Sequence, residues 1–239
     1  MTLTTFKKVS LLFFIAATFT LGANAQIQWG IKGGFNVSEL LTSDHQTVTV
    51  NNDAMGLRNF PKTTLHSGVL VLIPLSKKFG FQPELLYSEQ GANSNPSGGS
   101  LVSATESYKL NYVNIPLLLK YYLPVGFFVE TGPQVGYLLS AKVDEALVGG
   151  VNVNKYYHVK DQFKSTDFSW VLGVGYLSPI DLGFDIRYNL GLANINNASE
   201  SDRQNAPLQA GNIKNSVVQI GVYYLFGKSK NKTAFKAAE

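Results

Sequence analysis

The stretch Asp181-Leu182-Gly183-Phe184-Asp185-Ile186-Arg187-Tyr188-Asn189-Leu190-Gly191-Leu192 decides the fold. From Leu182 onward every second residue is apolar or aromatic, and those between are Gly, Asp, Arg or Asn. A period of two belongs to a strand, because successive side chains leave a pleated backbone on opposite faces. Faces this different mean that the strand separates two environments.

Working outward, the same pattern recurs in Ile27–Val37, Thr64–Leu75, Phe79–Gln90, Tyr108–Leu123, Phe127–Ser140, Phe168–Leu177 and Ser216–Phe226, which predicts about eight strands. Their connections alternate in length. Tight turns are expected at Ser76–Lys78, around Pro124 and at Ser178–Pro179, and long polar loops at Ser38–Lys62, Gly91–Ser107, Ala141–Asp167 and Asn194–Asn212. Short turns at one rim and long loops at the other are the arrangement of an outer-membrane barrel, with the long loops outside the cell. No internal repeat stands out beyond the hairpin period.

Periodicity alone leaves open a soluble lipocalin-like barrel, whose apolar set would point inward. The make-up of the polar set argues against it. Gly30, Gly34, Gly68, Gly80, Gly132, Gly136, Gly173, Gly175, Gly183, Gly191 and Gly221 dominate that face, with few charges, whereas a water-facing surface carries interspersed Lys and Glu. Small residues suit the inside of a narrow barrel. The apolar set, with Trp29, Phe79, Tyr87, Tyr121, Phe127, Tyr137, Phe168, Tyr176 and Tyr188, is then expected to face lipid, several of these aromatics near strand ends as girdles. The fold class expected is all-β: a closed antiparallel up-and-down transmembrane β-barrel in the cell outer membrane. Pro83, Pro116 and Pro133 each remove a ladder donor, and a bulge at any of them would reverse the parity beyond it.

Ahead of the strands, Lys7 and Lys8 precede an apolar run from Val9 to Leu21 and then Ala23-Asn24-Ala25, the order of a basic region, an apolar region and a cleavage site. Residues 1–25 are read as a cleavable signal peptide, 26–227 as the barrel and 228–239 as a polar periplasmic tail. The run is shorter than the roughly 20 residues of a spanning helix. No cysteine occurs in the 239 residues, so neither a lipidated N-terminus, a disulfide framework nor a thiolate metal site is available. The formal charge of +4 also divides unevenly. Of 20 basic residues, two lie in the leader and four in the tail, leaving 14 against 15 acidic ones once Glu239 is set aside. No basic stripe with interleaved aromatics remains, so no nucleic-acid partner is expected.

On this registry six ionisable residues face the lumen: Lys32, Glu84, Lys120, Glu130, Asp185 and Arg187, three of each sign. Buried charges persist only when paired, because each carries a desolvation penalty. Lys120 is expected to bridge Glu84 and Glu130 across adjacent strands near the periplasmic end, with Arg187, Asp185 and Lys32 as a second group. A salt-bridged, non-conducting core is the reading preferred over an ion path or a catalytic carboxylate pair.

The motifs Gly30-Ile31-Lys32-Gly33-Gly34-Phe35-Asn36, Gln82-Pro83-Glu84-Leu85-Leu86-Tyr87-Ser88, Tyr112-Val113-Asn114-Ile115-Pro116-Leu117-Leu118-Leu119-Lys120-Tyr121, Gly132-Pro133-Gln134-Val135-Gly136-Tyr137-Leu138-Leu139 and Arg187-Tyr188-Asn189-Leu190-Gly191-Leu192 extend over almost the whole chain after the leader. Through them the sequence resembles the PorT-like outer-membrane β-barrel family. The resemblance implies a fold and a location rather than a reaction, and it brings no catalytic residues. Some members are similar to parts of a secretion and gliding apparatus.

Chemistry-bearing motifs are otherwise missing. His45, His66 and His158 are scattered, with no metal spacing, and no nucleophile elbow or phosphate loop occurs, so no cofactor, metal or catalytic site is expected. His66 is expected in the lumen, His45 and His158 in external loops. The alternative class is a lipid-modifying enzyme, which would need His158 or His45 to meet Ser165 and Asp167 at the external rim. Expected partners are outer-membrane lipid, barrel-insertion machinery reading the alternating Val218, Ile220, Val222, Tyr224 and Phe226, and other envelope proteins at the external loops.

Overall fold

A computed structural model describes residues 27–42, 47–50, 53–97, 104–147, 155–197 and 211–227. The leader, the tail and His45 lie outside the described residues. Among the described residues eleven strands form one antiparallel sheet: β1 (Gln28–Thr42), β2 (Thr47–Val50), β3 (Asp53–Pro74), β4 (Phe79–Gln90), β5 (Ala92–Ser97), β6 (Ala104–Tyr122), β7 (Phe127–Leu147), β8 (Lys155–His158), β9 (Thr166–Leu177), β10 (Leu182–Gly191) and β11 (Ile213–Phe226). Eight of them close a ring in the order β1, β3, β4, β6, β7, β9, β10, β11. The last pairs with the first, from Trp29↔Phe226 to Thr42↔Ile213. The molecule is therefore an up-and-down β-barrel with no open edge along the ring.

The connections differ from expectation at the long-loop rim. The short strands β2, β5 and β8 occupy stretches read as loops, and β3, β6 and β7 run to 22, 19 and 21 residues. Crossing a membrane takes about 9–11 residues of strand, which β10 matches with 10. On this side the barrel wall continues past the membrane as a hydrogen-bonded ribbon. Where water lies on both faces, nothing selects an alternating pattern, so strand character there leaves no periodic trace in the sequence.

At the opposite rim the tight turns fall where expected. Leu75 and Ser76 donate backbone hydrogen bonds to Phe79 O at 2.9 and 3.0 Å, and Leu123 donates to Phe127 O at 2.8 Å. The turn Pro124–Gly126 holds Val125 at φ 64°. That region costs a residue with a Cβ roughly 1–2 kcal/mol, and glycine nothing. Val125→Gly is thus expected to raise the unfolding midpoint, read as the temperature at which the compact gel band of the heat-modifiable barrel disappears. An unchanged or lower midpoint would contradict the left-handed turn.

The prolines do not reverse the parity. Ladder pairs lapse for two positions beside Pro83 and Pro133 and resume in the same register, as in Pro83↔Leu117 followed by Leu86↔Asn114. The register shift in the β6–β7 ladder lies instead between Asn111 and Tyr112. Opposite it, the buried positions of β7 pass from Leu138 to Ala141, so Leu139 and Ser140 absorb the bulge where the wall leaves the apolar belt.

Large apolar side chains cover the outside: Trp29 is 57% exposed, Leu172 52% and Ile186 54%. A soluble barrel would have buried them. Aromatic pairs ring the short-turn end, with Trp29 stacked on Phe226 at 4.3 Å, Phe79 beside Tyr121 at 5.1 Å and Phe127 beside Tyr176 at 5.2 Å. Farther up the wall Phe35, Tyr87, Tyr137, Phe168 and Trp170 stand exposed. From Phe127 to Tyr137 a strand rising about 3.3 Å per residue and tilted about 40° covers roughly 25 Å, the height of an outer-membrane apolar band.

Candidate functional site

Inside the ring the side chains fill the lumen in layers. At the short-turn end Leu70, Leu72, Phe128, Leu177, Tyr223 and Leu225 pack into an apolar seal. At the long-loop end Leu40, Tyr108, Leu110, Tyr112, Leu138, Val143 and Ile213 form a second. This upper seal is completed by connections that bend inward. Val159 and Phe163 before β9, and Ile195 after β10, are buried in it, and Lys164 N donates to Ile195 O at 2.8 Å while Ile195 N donates to Ile213 O at 2.9 Å.

Between the seals, the structure places all six charged residues in the interior, Arg187 at 1% exposure and Lys120 at 0%. Alternation puts them there, since Arg187 and Asp185 flank the outward Ile186 on β10. Missing side chains make the room. A Cβ on Gly173 would lie 2.9 Å from both Arg187 Cγ and Glu130 Oε1, and one on Gly221 would lie 2.6 Å from Lys32 Cε and 2.8 Å from Asp185 Oδ1. The lumen glycines are the space that the ionic side chains occupy.

The pairing differs from the expected one. Arg187, not Lys120, joins the two glutamates. Its Nη1 and Nη2 donate to Glu84 Oε2 and Oε1, both at 2.7 Å, and its Nε donates to Glu130 Oε1. Nη2 also stands 3.3 Å from Asp185 Oδ2. A planar guanidinium offers five donors in a fixed fork, so Arg187 can grip Glu84 with two parallel bonds and still reach Glu130 and Asp185, more than the three donors of an ammonium group supply. Lys32 Nζ donates to Asp185 Oδ1 and Oδ2 at 2.7 and 2.6 Å, linking the expected second group to the first. Lys120 keeps Glu130 at 3.3 Å but otherwise turns to aromatic partners, donating to Tyr223 Oη at 3.1 Å with its Nζ 3.8 Å from the centre of the Phe128 ring. Ring faces stabilise a cation by their quadrupole, which replaces part of the water that Lys120 has lost.

Tyr223, Phe128 and Gln82, whose Nε2 donates to Glu84 Oε1, were not singled out by the sequence reading. Parity could have found Tyr223, because Val222 and Tyr224 point outward around it. His66 lies in the lumen, its Nδ1 2.8 Å from Asn36 Oδ1. The rim residues weighed for catalysis stay apart. Asp167 is buried and accepts from Asn215 Nδ2 at 2.7 Å, while Ser165 and His158 are exposed with no hydrogen bond to each other or to Asp167 among the described residues.

Chemically the cluster is balanced, three cations against three anions, and sealed at both ends.

Residues 22–197 match the model of a family described as outer membrane protein beta-barrel domain. No curated protein is matched. Among solved structures, the chain is similar to the attachment invasion locus protein Ail of Yersinia pestis, at 10% identity over 84% of this chain and 99% of that one with a TM-score of 0.41. Neisserial surface protein A is similar at 12% identity over 83% and 97%, with a TM-score of 0.45. The outer membrane protein OprG of Pseudomonas aeruginosa gives 17% over 87% and 99%, with 0.37.

Proposed function

Since the chain belongs to the outer membrane protein beta-barrel domain family, we propose that it works in the outer membrane as a sealed barrel whose role is exercised at its long-loop rim, as an interaction protein rather than a pore or an enzyme. The observation that carries this reading is the contrast between the two ends of the wall. The lumen is stopped by two apolar seals with an ion-paired layer between them, while β3, β6 and β7 build a ribbon well beyond what crossing the membrane requires. Such a ribbon offers backbone and side chains to a partner on the cell exterior.

The resemblance to PorT-like barrels supports an accessory part in secretion as one form of this role, with other envelope proteins as partners. Membrane lipid covers the apolar belt, and insertion machinery reads β11, whose outward Val218, Ile220, Val222, Tyr224 and Phe226 end in an aromatic. The host on this reading is a Gram-negative bacterium.

Two measurements test the proposal. The purified chain reconstituted in a planar bilayer is expected to produce no stepwise current, and a steady ion-selective conductance would overturn the sealed lumen. In cells, a photo-crosslinking residue in place of the exposed Tyr157 on β8 is expected to yield discrete adducts with envelope proteins, whereas one in place of lipid-facing Leu172 is not. Equal adducts at both positions would remove the rim as the working surface.

A further inference from the structure

One layer nearer the long-loop rim than the charges lies a ring of amides that the ionic cluster does not use. Gln219 pairs in register with Arg187 on one side and Asn36 on the other, Asn189 follows Arg187 by two residues, and Gln134 follows Glu130 by four. Asn114 pairs with Gly136, where a Cβ would lie 2.7 Å from its Oδ1, so its amide crosses the space that the glycine leaves. These side chains, with His66, are at most 4% exposed.

Part of the layer is joined. Asn36 Oδ1 accepts from Gln219 Nε2 at 3.0 Å and faces His66 Nδ1 at 2.8 Å, Asn36 Nδ2 donates to Ser88 Oγ at 3.0 Å, and Gln134 Nε2 donates to Ser169 Oγ at 3.0 Å. The far ends of His66, Gln134 and Gln219, and the amides of Asn114 and Asn189, leave atoms with no hydrogen-bonding partner among the described protein atoms: His66 Nε2, Gln134 Oε1, Gln219 Oε1, Asn114 Nδ2, and both Asn189 Oδ1 and Nδ2. An unmet buried donor or acceptor costs about 1–3 kcal/mol. Six in one layer is a cost that a folded barrel sheds by taking in a ligand.

We infer that this layer is a binding site for a cluster of water molecules, enclosed in the lumen and shared by Asn114, Gln134, Asn189 and Gln219. The orphaned atoms include both donors and acceptors. A water molecule donates two hydrogen bonds and accepts two, and so meets both kinds, with about three bonds each being usual for buried water. An ion would meet one kind and repel the other. The six charges below leave none over to hold it, because Lys32, Lys120 and Arg187 are balanced by Glu84, Glu130 and Asp185, and on the rim side Asp167, in register with Gly136, takes one bond from Asn215 and offers its Oδ1 as a further acceptor for water. The apolar seals above and below make the water resident rather than passing.

The test is magnetisation transfer from water to the side-chain amides of the full chain folded in detergent micelles. The Asn114 and Asn189 amide protons are expected to show transfer of the sign given by a water that stays longer than nanoseconds, and absence of transfer at both overturns the site. Asn189→Leu removes two of the six atoms from the shared cluster, so transfer at Asn114 is expected to fall. Full-strength transfer at Asn114 in a folded Asn189→Leu barrel would overturn the sharing. Should that variant not fold, the parent spectrum alone decides.

Discussion

Arg187→Met should cost the barrel about 3–5 kcal/mol, the usual penalty for removing one partner from a buried ion pair. Methionine fills much of the same volume, so packing changes little. What changes is that Glu84 loses its bidentate partner and Glu130 its Nε donor, while Asp185 loses one of two cations. Three carboxylates are then left in the interior with only Lys32 and Lys120. Against a total stability of about 5–15 kcal/mol, this is enough to shift denaturant unfolding visibly, followed by loss of the compact, heat-modifiable gel band. Retention of the parent midpoint would show that Arg187 does not hold the layer together. A control separates charge imbalance from shape. Glu84→Gln added to Arg187→Met is expected to restore much of the loss, because the two cations and two anions that remain, Lys32 with Asp185 and Lys120 with Glu130, balance again.

Ile186→Arg should be nearly as damaging by an unrelated route. Ile186 stands on the outer face of β10, midway between Phe184 and Tyr188, with lipid against it. An arginine at mid-belt costs about 2–4 kcal/mol in a membrane barrel. The exchange Ile186→Arg with Arg187→Ile keeps the composition and merely swaps two neighbours, yet it places a cation in hydrocarbon and strips the lumen of its central donor. It is expected to abolish the folded band on insertion into lipid vesicles. A folded, heat-modifiable product would mean that lipid does not bathe the even-numbered face of this strand.

The same two neighbours show what could be read from the sequence. Alternation along Leu182 to Leu192 is sufficient to assign faces, since every residue answers to one of two solvents, and the six interior charges follow from it. Their pairing does not. Lys120 was expected between Glu84 and Glu130 because β4, β6 and β7 are ring neighbours, whereas Arg187 arrives from β10. In so narrow a lumen the opposite wall is as close as the adjacent strand, and a long forked side chain reaches it. Cross-lumen distance is a property of the closed ring and of its strand stagger, neither of which is written in any one strand. The amide layer was hidden for a related reason. Asn and Gln on an inward face look alike whether or not their hydrogen bonds are met. The ribbon above the membrane had no signal, because a strand that leaves the apolar belt no longer separates two solvents and nothing selects an alternating pattern there.

The pairing of β1 with β11 has a temporal consequence. The two strands that complete the ring are those farthest apart along the polypeptide, so a chain emerging amino-end first carries β1 unpartnered on one flank until the last strand has been made. During that interval both margins of the curved sheet present bare amide and carbonyl groups, which in hydrocarbon cannot be left unsatisfied. Insertion must therefore either await the carboxyl-terminal strand or be chaperoned by something that lends a provisional edge.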